Sequence, residues 1–356
     1  MNTSRCEKET AIWAVTPNGA ELALRLSEAL GDADVFLSGK AGGMNMDVTG
    51  FTRISEILPK KFPCYKGHIF IMSTGIVVRQ IAPLLESKTS DPAVVVVDEL
   101  GHHAVSLVSG HLGGANELAG KAARAVGAVP VITTATDLNN LPAIDMIARD
   151  KNLVIENPDA VKQVGMAFLA GRRIRLHDPY GLTGGRIPVD LCLPFASSSG
   201  DQREDDQENP GIWVDDTGTR HPDNVLRLRP LSLAAGIGCN RGTQSSEILS
   251  LVEEVFRTHD LSLKSLACLA SISIKQDEKG LLDAALALGV QAVFYEKETL
   301  SNVKGIQSPS GKVEKYTGVK SVCEAAAIQS ANGTLIVRKH KTQNVTVAVA
   351  RKINFT

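Results

Sequence analysis

The sequence predicts an α/β protein: N-terminal and C-terminal α/β domains with mainly parallel sheets, joined by a less regular middle region. Three observations lead there. Fully apolar, β-branched runs such as Ala93–Val97 alternate with segments of helical period at both ends of the chain. The stretch from about 137 to 225 loses that alternation. The length, 356 residues, suits two or three domains, and a hydrophobic fraction of 43% is enough to build their cores.

The elements follow in order. Ala11–Val15 is a short apolar strand, closed by Pro17-Asn18-Gly19; Leu22, Leu26 and Leu30 then recur at helical spacing. His68–Met72 reads as a buried strand and Ile76–Leu85 as the helix after it. Ala93–Val97 has the composition of a central parallel strand, and Ala104–Val108 that of a short strand or hairpin arm. Asn116–Val126 is an Ala- and Leu-rich helix, and Val129–Thr134 another strand. The middle region offers one helix, Asp159–Leu169, and then Pro/Gly-rich chain; its segment 197–210 has the composition of a flexible loop. Alternation resumes near Leu226. Strands are expected at Leu231–Ala235, Leu266–Ile274 and Ala292–Tyr295, and helices at Gln244–Phe256, Leu281–Leu288 and Val319–Ser330. Thr334–Val337 and Val345–Ala350 form an antiparallel pair. The expected domains are 1–136, 137–225 and 226–356.

Composition excludes several classes of function. A formal net charge of −1 argues against a general nucleic-acid binder. The longest apolar region, Ile69–Leu85, is broken by Ser73, Gly75, Arg79 and Pro83, so no membrane span is expected. The N-terminus is polar and lacks the apolar run of a signal peptide. Six scattered cysteines without a C-x-x-C pair read as reduced thiols, and together these features point to a cytoplasmic protein.

Three strand-to-helix turns carry the residue types that bind or react. Ser73-Thr74-Gly75 opens a helix and can offer backbone N–H groups to an anion, with Arg79 one turn further on; the alternative is an ordinary capped turn. The second turn runs from Asp98, at the end of an apolar strand, to Ser109-Gly110-His111-Leu112-Gly113-Gly114-Ala115-Asn116. His111, flanked by glycines, suits proton transfer near neutral pH. His102 and His103 read as a polar surface turn, and the three histidines match no zinc pattern. The third turn is Gly236-Ile237-Gly238-Cys239-Asn240-Arg241-Gly242-Thr243. It is one residue longer than the dinucleotide fingerprint and lacks the acidic partner about 20 residues on, so a carboxylate ligand fits it better than a dinucleotide. Cys239 is either a nucleophile or a small buried thiol. P-loop and G-x-S-x-G motifs are absent.

At these turns the sequence resembles the CbiG family of the anaerobic cobalamin pathway. HIFIMSTGIVVRQIAPLL, DPAVVVVDELGHHAVSLVSGHLGGANELA and VPVITTATD are similar to its N-terminal domain. LAAGIGCNRGT, YTGVKSVCEAAA and the last strand pair are similar to its C-terminal domain, which also occurs alone as CobE. The resemblance implies a cobalt-precorrin-5A hydrolase. Its substrate is a cobalt-containing contracted tetrapyrrole with a lactone between the ring-A acetate and the extruded carbon. Hydrolysis frees the acetate, and the extruded carbon leaves with its methyl group as acetaldehyde. No cofactor and no protein-bound metal are implied, because cobalt enters as part of the substrate. The resemblance leaves room for transient contacts with other cobalamin-pathway enzymes.

On this reading Asp98 or His111 activates water. The N–H groups of Gly113 and Gly114 stabilise an oxyanion or hold a carboxylate, with Ser109 in the same loop, and Asn116 orients substrate or caps its helix. Arg79 and Arg241 pair with substrate carboxylates, as do the turns Ser73-Thr74-Gly75 and Gly236, Gly238, Gly242 and Thr243. Two alternatives stay open: a non-catalytic tetrapyrrole carrier or scaffold, and a metal chelatase using His102, His103 and His111.

Overall fold

A computed structural model describes residues 8–39, 48–87, 90–111, 113–195, 209–311 and 318–353. Of the expected flexible loop 197–210, residues 197–208 lie outside the described residues, as does Leu112. The chain divides into two compact units, Met1–Met146 and Ile147–Thr356.

The first unit contains a seven-stranded sheet. Its strands are β1 (Thr10–Ala14), β2 (Ala33–Ser38), β3 (Val48–Phe51), β4 (Gly67–Ile71), β5 (Ala93–Val97), β6 (His103–Val108) and β7 (Val129–Val131). Their spatial order is β3-β2-β1-β4-β5-β6-β7. From β1 the chain moves outward to β2 and β3, then returns to β4 and moves the other way, so order reverses between β1 and β4. All pairs are parallel except β5–β6, where Val97 faces Ala104 and Val94 faces Val108.

Alternate side chains serve two cores, as the two-residue period of a strand dictates. Ile12, Ala14, Ile69, Ile71, Val95 and Val97 pack with α1 (Pro17–Leu30) and with a later helix, Ala115–Val126. Ala11, Trp13, Phe70, Val94 and Val96 pack on the opposite face with α2 (Ile54–Lys61) and α3 (Thr74–Ile81). The Ala115–Val126 helix is α4, and its alanines 115, 119, 122 and 123 let it lie close on the strands. Two short helices, α5 (Ala135–Leu138) and α6 (Ile144–Asp150), follow β7.

The second unit holds two sheets. The middle region forms five short strands: β8 (Leu153–Ile155), β9 (Ile174–His177), β10 (Cys192–Pro194), β11 (Gly211–Val214) and β12 (Val225–Pro230), in the order β10-β9-β11-β12-β8. Only the helix Asp159–Leu169 of this region was predicted. The strands are three to six residues long and lie among Pro and Gly, too short for periodicity to declare them. The C-terminal sheet has β13 (Leu233–Cys239), β14 (Leu266–Ile272), β15 (Gln291–Tyr295), β16 (Gly333–Lys341) and β17 (Val345–Lys352), in the order β15-β14-β13-β17-β16. The β13–β14–β15 pairs are parallel; β17 runs antiparallel to β13 and β16 to β17.

The sheets of this unit are joined by an ion pair whose carboxylate is buried. Arg351 on β17 donates to both oxygens of Asp216, at 2.8 and 2.7 Å, and Ser232 donates to the same carboxylate at 2.7 Å. Asp216 is fully buried, and these bonds compensate its removal from water.

Candidate active site

The reversal of strand order between β1 and β4 opens a cleft at the carboxyl ends of the strands, where ligands gather in sheets of this kind. The cleft has a volume of about 570 Å³ and is lined by Thr16 after β1, Ser73 and Thr74 after β4, Asp98 and Glu99 after β5, and His103 at the start of β6. Ser73 precedes α3, and its side chain makes no capping bond there. Its carbonyl accepts from the N–H groups of Ile76 and Val77. Arg79, on α3, is exposed.

Asp98 is occupied by its own turn. Its Oδ1 accepts N–H bonds from Leu100 at 3.0 Å and His102 at 3.2 Å, and its Oδ2 accepts one from His103 at 2.6 Å. Burial pushes its carboxyl up, but these backbone donors outweigh that and hold it below the usual carboxylate value. A carboxylate stabilised in its ionised form is a weak proton acceptor. Asp98 shapes the β5–β6 turn through these bonds, with His103 Nδ1 3.5 Å from its Oδ2.

His111 lies at the other edge of the same sheet. Because β6 runs antiparallel to β5, its carboxyl end returns to the edge where β5 begins. The separation along β6 is on the order of 17 Å, from about 3.4 Å per residue. Asp98 and His111, both assigned to water activation from the sequence, are not brought together, and neither are the three histidines of the chelatase alternative.

A polar network surrounds His111 instead. Its Nε2 lies 2.9 Å from Asp137 Oδ2 and 3.1 Å from Thr136 Oγ1, and its Nδ1 is 3.7 Å from Asp145 Oδ2. Asn116 Nδ2 donates to Asp137 Oδ2 and to Thr134 Oγ1, each at 3.0 Å. Ser106 Oγ donates to Asn116 Oδ1 at 2.6 Å. These groups come from the ends of β6 and β7, the first turn of α4, and α5 and α6. Asn116 does not cap its helix, whose N-cap is Gly114; its amide aligns the carboxylate beside the histidine.

The glycine-rich loop positions these groups by close packing. A Cβ at Gly113 would sit 2.3 Å from the Ser109 Cβ, and Gly114 takes the left-handed conformation at φ 86°. The N–H of Gly114 already donates to the His111 carbonyl at 2.8 Å, so it is not available as an oxyanion donor. Ser109 is itself left-handed at φ 60°, a conformation uncommon for serine, and its Oγ is buried without a partner among the described residues.

The C-terminal turn departs from the expected picture. The strand expected to end at Ala235 continues to Cys239, so Gly236 and Gly238 pair with Ala348 and Thr346 inside the sheet. A Cβ on Gly236 would lie 1.8 Å from the Cys323 carbonyl oxygen, and one on Gly238 2.5 Å from Thr346 Oγ1. Their role is close packing, not presentation of N–H groups. Arg241 donates to both oxygens of Asp277 at 2.7 Å and to the Ile274 carbonyl. The N–H of Gly242 goes to Glu278, and Thr243 Oγ1 donates to the Asn240 carbonyl. Burial pushes the Cys239 thiol up, which disfavours the nucleophilic thiolate.

Sequence reasoning missed Ser106, Thr134, Thr136, Asp137 and Asp145 as partners of His111, and Thr16, Glu99 and His103 as cleft residues. Thr134, Thr136 and Asp137 stood in the quoted segment VPVITTATD, but nothing local says that its end folds back onto His111.

Three family models match consecutive stretches of the chain. The cobalamin synthesis G N-terminal model matches residues 56–137, the cobalamin biosynthesis central region 142–230, and the cobalamin synthesis G C-terminus 233–350. The chain belongs to the cobalamin synthesis G family. Among its relatives, the cobalt-precorrin-5A hydrolase of Priestia megaterium is 34% identical, covering 96% of this chain and 94% of that protein. The cobalt-precorrin-5A hydrolase of Salmonella typhimurium is also 34% identical, covering 98% and 99%. Protein CobE of Sinorhizobium sp is 33% identical over 121 residues, or 33% of this chain and 79% of that protein. Membership of the cobalamin synthesis G family gives the chain a role in cobalamin biosynthesis. No helix among the described residues is long and apolar enough to cross a membrane.

Proposed function

We propose that the chain hydrolyses the ring-A lactone of cobalt-precorrin-5A and releases acetaldehyde, giving cobalt-precorrin-5B, with His111 as the proton-transfer group. The kinship with two cobalt-precorrin-5A hydrolases over nearly the whole chain supports the reaction. The observation that carries the role of His111 is the Ser106–Asn116–Asp137–His111 chain of hydrogen bonds.

Asp137 accepts from Nε2–H and so selects the tautomer whose Nδ1 lone pair is free to act as a base. A water at Nδ1 loses its proton as it attacks the lactone carbonyl. The resulting imidazolium lies between two carboxylates, Asp137 at 2.9 Å and Asp145 at 3.7 Å, which stabilise it. Collapse of the tetrahedral intermediate returns the proton to the departing alkoxide. The product carries a free acetate and a hydroxyl on the extruded carbon. Removing that hydroxyl proton lets the carbon–oxygen double bond form as the bond to the ring breaks. Acetaldehyde leaves, and the ring carbon takes up a proton. Cobalt stays in the ring throughout, as part of the substrate.

The test is turnover by His111→Ala. The expected loss in kcat is roughly 100- to 10,000-fold, with substrate binding retained. Full activity in this variant would remove His111 from the mechanism.

A second location is favoured by one observation. The cleft at the strand-order reversal contains His103 beside Asp98, with Ser73 and Thr74 at the start of α3. If lactone opening occurred there, His103→Ala would abolish turnover and His111→Ala would not. On the first reading the cleft instead holds a peripheral carboxylate, so Ser73→Ala and Thr74→Ala raise KM and leave kcat nearly unchanged. Substrate that binds and returns unchanged would favour the carrier alternative.

A further inference from the structure

Outside the N-terminal unit, two histidines converge at the surface of the C-terminal sheet. His259 is the residue at which the helix Ser245–Thr258 ends; His340 lies on β16, the edge strand. They are 81 positions apart, yet their Nε2 atoms stand 3.0 Å from each other, with ring planes at 81°. The convergence is held by the packing beneath it. Ile248, Leu251, Val252 and Val255 of the helix share one buried core with Val337 of β16 and Val345, Val347 and Val349 of β17.

We propose that His259 and His340 form a binding site for a divalent transition-metal ion, ligated by the two Nε2 atoms and completed by water. Imidazole nitrogen binds such ions at about 2.0–2.1 Å. Two nitrogens 3.0 Å apart then subtend about 91–97° at a shared ion. That is the cis angle of octahedral and tetragonal complexes; a tetrahedral site would need the nitrogens about 3.4 Å apart. The geometry therefore suits Ni(II), Cu(II) or Co(II) better than a closed zinc site. Both ligands approach from fixed elements, so little ordering is required on binding. Among the described residues no third His, Cys, Asp or Glu joins a metal cluster, so the site has two protein ligands and open positions. Its effect is to fasten the edge strand to the end of the helix, and it is independent of the hydrolytic reaction.

The experiment is calorimetric titration of the full, untagged chain with Ni(II) alone, together with thermal unfolding in its presence. One equivalent is expected to bind and to raise the melting temperature by a few degrees. His340→Ala and, separately, His259→Gln should each lose that equivalent and that shift, whereas His102→Ala keeps both. The His259 variant changes an exposed side chain past a helix end and so tests the site even if His340→Ala disturbs the strand. The proposal is overturned if the wild-type chain binds no Ni(II), or if His259→Gln binds as many equivalents as tightly as wild type.

Discussion

His68 shows how one side chain sets the acid limit of a fold. It is fully buried in the N-terminal core, where Nδ1 accepts from Trp13 Nε1 at 3.1 Å and Nε2 lies 3.1 Å from the Phe62 carbonyl. The neutral ring satisfies both neighbours; a protonated ring would turn a second N–H toward the indole donor. Burial lowers its pKa from 6.5 to about 4, against a smaller upward pull from the Phe62 carbonyl. A depressed folded pKa means stability that is present above pH 6.5 and lost as pH falls toward 4. The full loss is about 3 kcal/mol by linkage. NMR titration of His68 should find it neutral at pH 5, and denaturant unfolding of the N-terminal unit should weaken between pH 6.5 and 4. An imidazole titrating near 6.5 in the folded chain would contradict this. None of this was legible in the sequence, where His68 merely opened an apolar run. His111 stood out as a candidate because glycines flank it; Asp137, its partner in the structure, did not, because the contact spans 26 residues and depends on where β7 ends.

At the scale of elements, glycines divide into those that allow contact and those that only cost entropy. Gly236 is of the first kind: helix Val322–Ala331 crosses β13 so closely that Gly236→Ala would drive a methyl into the Cys323 carbonyl. The expected loss is about 3 kcal/mol or failure of the C-terminal unit to fold. Gly165 is of the second kind, in the middle of the helix Asp159–Leu169 with open space around it. Gly165→Ala should stabilise by about 0.5–1 kcal/mol. Chemical denaturation of both variants checks the pair; equal effects would refute the distinction. The same residues explain a misreading from sequence. G-x-G-x-x-x-G was expected to open a ligand turn, but a glycine needed for helix–strand contact and one needed for a ligand look alike in one dimension. Only Gly242, at φ 75°, has the backbone of a turn.

For the molecule as a whole, legibility followed strand length and burial. Ala93–Val97 and Leu266–Ile272 are apolar because both faces are covered, and such runs declare themselves. The middle sheet does not: Leu153–Ile155 and Cys192–Pro194 are three residues each, and their pairing is decided by distant partners. The edge strand β3 and its neighbour β2 were missed for a related reason, their sequences mixing Asp34, Ser38, Thr49 and Gly50 with apolar residues. The topology that follows is what separates Asp98 from His111, through the single antiparallel step from β5 to β6. The proposed chemistry accordingly rests on the histidine and its carboxylates. The most direct test is anaerobic incubation of the purified chain with cobalt-precorrin-5A, trapping released acetaldehyde and weighing the tetrapyrrole product. The account predicts acetaldehyde in step with a product that has lost the matching fragment, both slowed roughly 100- to 10,000-fold in His111→Ala. Substrate recovered intact from the folded wild-type chain, or acetaldehyde released at the wild-type rate by the variant, would contradict it.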